Sequence, residues 1–321
     1  MIAPNLVSLP MEGVHTEIDG LDVLLERLPP WVQDHVLEYQ EDVEDVVMDL
    51  GSPLAFNLNK GFVAFDKIVE KTDLETLKYA LKDVADDGRT GIDGTLHRIS
   101  VVRRRARGSE GTIIGATIRV ARVTMGLAEP LRPYLEGGNF LILGPPKRGK
   151  TTLLRDIIRI ISGRLGPKLW VVDSSNEIAG FADVKHWMLG YARRLQVPGP
   201  EFQTQKLTEA LANHSAAMVI LDEVKRLPDA EALESGSKTG VNFGATCHAE
   251  TFDEALERSV YQPLFGNVNL RERIKPTRSS FDTIIEIKDW GKFVVYQNAD
   301  EVISRHIAGE TVQGVQVGAW S

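Results

Sequence analysis

Residues 144–151 read Gly-Pro-Pro-Lys-Arg-Gly-Lys-Thr and fit the pattern G-x-x-x-x-G-K-[ST]. Phosphate chemistry explains each position. A loop that wraps a phosphate with backbone N–H groups needs small side chains or ones turned away, so Gly144, Pro145, Pro146, Lys147, Arg148 and Gly149 form the expected cradle. A helix starting near Lys150 aims its N-terminal dipole at the anion. Lys150 is then placed to reach the β- and γ-phosphates of ATP and the Thr151 hydroxyl to ligate Mg²⁺, with Thr152 closing the segment. In MVILDE (218–223), Asp222 is placed at a strand end to hold Mg²⁺ through water, and Glu223 to orient and deprotonate an attacking water. A buried strand followed by an ordinary acidic turn looks the same in isolation; the upstream phosphate loop favours the catalytic reading.

Two further groups stand where strands end. VVDSSNE (171–177) carries Asp173 and Glu177, and ATCHAET (245–251) carries His248. Strand C-termini of a parallel sheet converge on the ligand crevice. Glu177 can therefore position water or metal and His248 can sense a γ-phosphate, while capping or solvation stands as the alternative for each.

These residues need a scaffold. NFLILG (139–144), KLWVVD (168–173), AAMVILD (216–222), VNFGATCH (241–248) and FDTIIEI (281–287) are short apolar runs with helical stretches between several of them, and 151–166 is a helix with one apolar face. The pattern predicts an α/β P-loop NTPase domain (RecA/AAA-like) with a parallel sheet and helices on both sides. A smaller α+β domain precedes it: helical spacing over 21–39, strands at 43–50, 53–58 and 61–65, a helix at 73–84, and a hairpin of 95–105 with 111–120 turning at 108–111. The expected division is a flexible arm (1–20), an N-terminal domain (21–125), an ATPase domain (126–290) and a tail (291–321) of strand, helix and terminal hairpin.

The 321 residues are 43% hydrophobic, which suits two ordinary domains. Lys plus Arg total 37 against 45 Asp plus Glu, a net charge of −8, so the chain is not a generic nucleic-acid binder. Cys247 is the single cysteine, so no internal disulfide forms and a cytoplasmic location fits. The first residues lack the charged start and apolar core of a signal peptide, and no apolar run reaches membrane-spanning length, so a membrane role would be peripheral.

In this order the motifs resemble the stage III sporulation protein AA-like ATPases, which also have cyanobacterial and plastid members. The resemblance covers residues 20–305 and rests on LPPWVQDHV, GTLHRISVVRRR, VVDSSNEIAG, ARRLQVPGPEFQ, VILDE and GATCHAET. That family in turn resembles the type II and type IV secretion ATPases. The resemblance implies a hexameric ring motor with ATP and Mg²⁺ at subunit interfaces and an unknown protein partner, an acidic box at 173–177 and a histidine box at His248. Interface sites need an arginine to neutralise transition-state charge. Arg193 and Arg194 lie in the specific RRLQVP segment, and Arg119 and Arg122 end the first domain where secretion-type ATPases place nucleotide-contacting arginines; surface ion pairs are the alternative for all four.

The chain departs from the family at Lys147 and Arg148, where glycine and a small apolar residue are usual, at VKRLPDAEA after Glu223, and in stopping at Ser321 without the nucleic-acid-binding module of longer plastid-type members. Two other readings compete with the motor. A nucleic-acid translocase would use Arg103, Arg104, Arg105 and Arg107 as a positive ring. A nucleotide-gated scaffold would turn over little, against which Asp222 and Glu223 argue. Trp31, Trp187, Phe265 and Cys247 read as packing residues.

Overall fold

The computed structural model of the chain describes residues 7–80, 84, 88–105 and 111–319. In chain order the elements are β1 (His15–Ile18), α1 (Leu21–Leu25), α2 (Pro30–Glu38), β2 (Val43–Asp49), β3 (Pro53–Leu58), β4 (Phe62–Ile68), α3 (Lys71–Ala80), β5 (Arg89–Gly91), β6 (Arg98–Arg103), β7 (Ile113–Arg119) and β8 (Arg122–Met125). There follow β9 (Phe140–Leu143), α4 (Lys150–Leu165), β10 (Leu169–Asp173), β11 (Arg193–Gln196), α5 (Gln203–Asn213), β12 (Met218–Leu221), α6 (Leu227–Lys238) and β13 (Asn242–Thr246). The chain closes with α7 (Phe252–Glu257), α8 (Gln262–Phe265), β14 (Thr283–Asp289), β15 (Lys292–Gln297), α9 (Ala299–Ile307) and β16 (Val315–Gly318). They divide into two compact units, one of Met1–His15, Thr124–Ile178 and Trp187–Ser321, the other of Thr16–Val123 and Ala179–His186.

The larger unit is built on an eight-stranded sheet of order β11-β10-β12-β13-β9-β14-β15-β16. Every residue of β9, β10 and β12 is buried, as strands covered on both faces must be. Neighbours from β11 to β14 run parallel. At Gly244 in β13 a Cβ would lie 2.2 Å from the Phe140 ring, so only glycine lets the side chain of β9 cross there. The expected parallel sheet is present from β11 to β14, and the tail strands β15 and β16 add antiparallel beyond β14, making the whole sheet mixed. Where a terminal hairpin is expected, the described residues form a single strand, β16. Chain 299–307 forms a helix between the two last strands, and β16 returns to pair with β15.

The first described residues are tied down rather than free. Val7 is buried, and its carbonyl and that of Leu9 accept from Arg159 Nη1 at 2.9 and 3.1 Å. Arg159, 1% exposed on α4, also reaches Asp156 Oδ1 at 2.5 Å and Glu129 Oε1 at 2.5 Å, and Asp156 accepts from the Ala128 N–H at 2.7 Å. Helical periodicity alone puts these charges in the core face of α4, and they are tolerable there only because each is paired.

The smaller unit carries a six-stranded antiparallel sheet of order β4-β3-β2-β7-β6-β5. Alternate residues of β2 and β3 point into a core with Leu24, Leu28, Val32 and Val36 of the helical segments. Strand β6 begins at Arg98, three residues later than 95–105 predicts. Thr95–His97 are taken by a turn instead: the Thr95 hydroxyl donates to Ile92 O at 2.9 Å and the Leu96 N–H to Asp19 Oδ2 at 2.6 Å. Asp19 also pairs with His186 at 3.0 Å, both fully buried, which locks segment 179–186 into this unit. The Val184 N–H donates to Asp93 at 3.1 Å and the Arg98 guanidinium lies 5.7 Å from the Phe181 ring centre, closing the same dock.

Two stability predictions follow from these pairs. Arg159→Ala leaves Asp156 and Glu129 without their buried partner and is expected to cost about 3–5 kcal/mol, read as a lower thermal midpoint of the full chain, with Arg159→Lys between. His97 is wholly buried and its Nδ1 accepts from the Ala121 N–H at 3.0 Å. Burial holds its imidazole below the ordinary range, so between that lowered value and about pH 6.5 the unfolded chain binds a proton that the folded one refuses. Its stabilising contribution is present above pH ~6.5 and lost as pH falls. Melts between pH 7.5 and 5 are expected to show a slope that His97→Gln reduces by up to one proton.

Candidate functional site

Gly144 leaves β9 with φ 153°, Lys147 sits at φ 59° and Gly149 at φ 84°, so the loop folds back on itself before α4 begins at Lys150. At Gly144 a Cβ would lie 2.9 Å from that of Ile287, and at Gly149 one would lie 2.9 Å from Trp290 Cζ3, so a side chain at either position must displace its neighbour and sit in strained backbone. The Lys150 ammonium donates to the carbonyls of Gly144 and Pro145 at 2.6 and 3.0 Å, curling the chain around its own lysine. Burial lowers the pKa of that ammonium, with Cys247 and Glu223 pulling the other way.

Beside this loop lies a cavity of about 650 Å³. From the loop and α4 it receives Pro146, Lys147, Gly149, Lys150, Thr151 and Thr152. From the ends of β10, β12 and β13 it receives Glu177, Asp222, Glu223 and His248. Four segments far apart in sequence thus meet at one wall of the sheet. Asp222 is buried and accepts a hydrogen bond from the Ser175 hydroxyl, and its main-chain carbonyl accepts one from Thr246 Oγ1 at 2.6 Å. Burial raises its pKa, Ser175 opposes that, and the nearby Glu177 carboxylate adds to the rise. Such a group gains from a cation. Glu223 lies 2.7 Å from His248 Nε2 and 3.9 Å from Lys225 Nζ. Burial raises its pKa too, against the pull of His248 and Lys225. Among the described residues no group of three His, Cys, Asp or Glu side chains forms a metal cage. Thr151 and Asp222 in one cavity with a phosphate cradle match what Mg²⁺ takes instead, one or two protein oxygens with phosphates and water for the rest.

Several residues that sequence reasoning missed hold this arrangement. Arg155 of α4 donates to Ile178 O at 2.9 Å and Glu177 O at 2.5 Å, fixing the acidic segment to the helix behind the loop. Gln203 donates to Glu223 O at 2.9 Å and to Asp229 Oδ2 at 2.8 Å. Gln203 and Ser175 sit inside segments already singled out, PGPEFQ and DSSNE, so their motifs were the available signal; Arg155 has none beyond being a charge on an apolar helix face. The aromatic Trp290, on the turn after β14, also lines the cavity.

Other expected site residues lie elsewhere. Arg148 turns to Asp289 at 2.8 Å and does not line the cavity, so of the two added charges in the loop only Lys147 faces it. Asp173 is buried at the end of β10. Arg193 and Arg194 stand on β11, the edge strand, and the Arg193 guanidinium stacks 4.0 Å over the Trp170 ring of the next strand. Neither lines the cavity. Arg119 and Arg122 belong to the smaller unit, where they line a separate cleft of about 430 Å³. There Arg119 faces Asp45 at 3.6 Å, and Arg122 donates to the carbonyls of Gln40 and Glu41 at 2.8 Å. Arg103 donates to Gly111 O at 3.2 Å, Arg104 and Arg105 are exposed, and Arg107 lies outside the described residues with most of the expected turn. Cys247 is fully buried, and burial pushes its thiol up to about 12, which suits packing and not nucleophilic chemistry. Phe265 packs on Phe281 and Trp31 donates to Asp73 at 2.9 Å; Trp187 is half-buried in a short 3-10 turn.

Comparison with known proteins identifies the family and the fold. The family model described as sporulation stage III, protein AA matches residues 58–275. The chain is 38% identical over 292 residues to Protein SEEDLING PLASTID DEVELOPMENT 1 of Arabidopsis thaliana, covering 89% of this chain and 42% of that one. It is 33% identical over 311 residues to the protein ycf45 of Porphyra purpurea, covering 91% of this chain and 54% of that one. The chain therefore spans about half the length of these relatives. Among solved structures the fold is similar to that of the pilus retraction motor PilT with bound ADP, with a TM-score of 0.58 at 15% identity over 90% of this chain and 87% of that one. At that identity the likeness is one of fold.

The loop geometry makes its own prediction. Gly149→Ala forces a side chain into left-handed backbone and against Trp290. It is expected to cost about 1–2 kcal/mol, measured by thermal melting; removing the indole as well recovers only the clash.

Proposed function

Because this chain belongs to the sporulation stage III protein AA family, we propose that it is a Mg²⁺-dependent ATPase whose hydrolysis drives a ring-shaped motor. The observation that carries the reading is the meeting of loop 144–152 with Asp222, Glu223, Glu177 and His248 in one cavity. The loop's backbone and Lys150 would bind the β- and γ-phosphates, and Thr151 with Asp222 would hold the metal. Mg²⁺, when bound with ATP, neutralises charge on the phosphoryl group being transferred. Glu223 is the base. Burial of its carboxylate raises its proton affinity above the ordinary carboxylate range, which makes it a better acceptor of a proton from water. His248, 2.7 Å away, orients that carboxylate and stands where the γ-phosphate would be sensed. Glu177, whose main chain Arg155 holds, completes the acidic wall.

The motor part rests on three supports: the resemblance to ring-forming secretion ATPases, the fold shared with a pilus retraction motor, and the family. A hexamer with an arginine supplied in trans, from Arg193, Arg194, Arg119 or Arg122, belongs to the same reading. Among the described residues no helix is long and apolar enough to cross a membrane, so an attachment through the described helices would be peripheral. Nucleic acid as the moving partner has weaker support, since Arg103 spends its side chain on Gly111 O and the hairpin offers Arg104 and Arg105 in an acidic chain.

Steady-state hydrolysis by the purified chain decides between the readings. Turnover above a Lys150→Ala blank, not raised by single- or double-stranded DNA, is expected. Glu223→Gln is expected to keep ATP affinity and lower turnover ~100-fold or more, the usual weight of a positioned base, with Glu177→Gln milder. Full turnover in Glu223→Gln would remove that residue from the role. Strong stimulation by DNA would replace the motor with a translocase.

A further inference from the structure

The cavity beside the phosphate loop is lined mostly by charged and hydroxyl side chains, yet the indole of Trp290 also borders it. Trp290 stands on the turn between β14 and β15 with 49% of its surface exposed, in a place where burial against neighbours does not explain it. Its ring edge lies against the last glycine of the loop, as a Cβ on Gly149 would meet Cζ3 at 2.9 Å and Cε3 at 3.3 Å.

The turn that carries the indole is held at its main chain. Asp289 Oδ1 accepts from the Trp290 N–H at 2.9 Å and from Arg148 Nη1 at 2.8 Å, so one carboxylate clamps the turn to the loop. On the far side Gly291, at φ 68°, accepts through its carbonyl from the Ala319 N–H at 2.9 Å, just past β16. A half-exposed indole on a turn whose main chain is fixed from both sides stands at the rim of the phosphate loop, a flat surface beside the anion site.

We propose that Trp290 is the stacking surface for the base of the bound nucleoside di- or triphosphate, and that the Arg148–Asp289 pair sets its position. The proposal rests on the reading of 144–152 as a phosphate loop. A nucleotide whose β-phosphate lies at Lys150 extends its sugar and base outward across the loop's rim, where the indole stands. Stacking is indifferent to which purine is presented, so the site takes adenine and guanine nucleotides with similar loss when the platform is removed.

Calorimetric titration of the full chain with Mg²⁺-ADP, Mg²⁺-GDP and inorganic tripolyphosphate tests it. Trp290→Ala and Trp290→Leu, the second keeping apolar bulk against Gly149, are expected to weaken both nucleotides roughly 10- to 100-fold and to leave tripolyphosphate within twofold, while Trp290→Phe stays near wild type. Equal weakening of tripolyphosphate would make Trp290 a support for the loop and overturn the proposal. Unchanged ADP affinity in the alanine and leucine variants would overturn it as well. If the unmutated chain binds neither ADP nor tripolyphosphate and Lys150→Ala changes nothing, the phosphate-loop reading itself falls and the platform with it.

Discussion

The site depends on strand register. Ile142 of β9 stands opposite Thr246 of β13, Ala245 opposite Leu221 of β12, and Leu221 opposite Val172 of β10. With the strands parallel, this alignment brings Gly144, Asp222, His248 and the 174–177 segment out of the sheet at one edge. A slip by one residue would turn every side chain over to the other face. The fully apolar strands resist such a slip poorly by pattern, because both faces are buried. Single residues supply what the pattern lacks: Gly244 admits the Phe140 ring, and Asn139 donates to Ser280 O at 2.6 Å while accepting from the Phe243 N–H at 2.8 Å.

The same convergence crowds charge. Asp222, Glu223 and Glu177 approach one another with Lys150 and Lys225 nearby, and burial raises the pKa of both Asp222 and Glu223. Such a cluster is destabilising unless a cation and a polyanion complete it. Backbone anchors such as Gln203 and Arg155 keep the carboxylates from relaxing apart into water. These anchors hold main-chain atoms and leave the carboxylate oxygens to the cavity.

How much of this could be read beforehand follows from whether a feature is local. The phosphate loop is eight contiguous residues, and its glycines announce their backbone angles; the structure finds Gly144 and Gly149 at positive φ. Glu177 and His248 needed strand order to become neighbours of the loop, and only their position after apolar runs pointed there. The antiparallel β15 and β16 were legible as strands but not as sheet edges, because two-residue periodicity says nothing about which partner a strand takes. The sequence pattern predicts strand over Thr95–His97, but a carboxylate 77 residues away claims one of their amides. The arginines mark a different limit: within the chain Arg193 lies over Trp170 and Arg119 and Arg122 contact groups of the smaller unit, and a role toward a neighbouring copy is not legible from one chain's sequence.

Arg148 shows how a departure from a pattern can be structural and chemical at once. In the loop it looked like added charge for the phosphates. Its guanidinium instead meets Asp289 across the β14–β15 turn, at a surface position where an isolated ion pair contributes ~1 kcal/mol at most. Stability is therefore a weak reason for the pair. Position is a stronger one. Asp289 also accepts the amide of Trp290, so the pair ties the last strand turn to the loop that opens α4, and the turn that carries the indole is placed by that tie. A small apolar residue at 148 could not make it, and of the two added charges in the loop it is the lysine at 147 that faces the cavity.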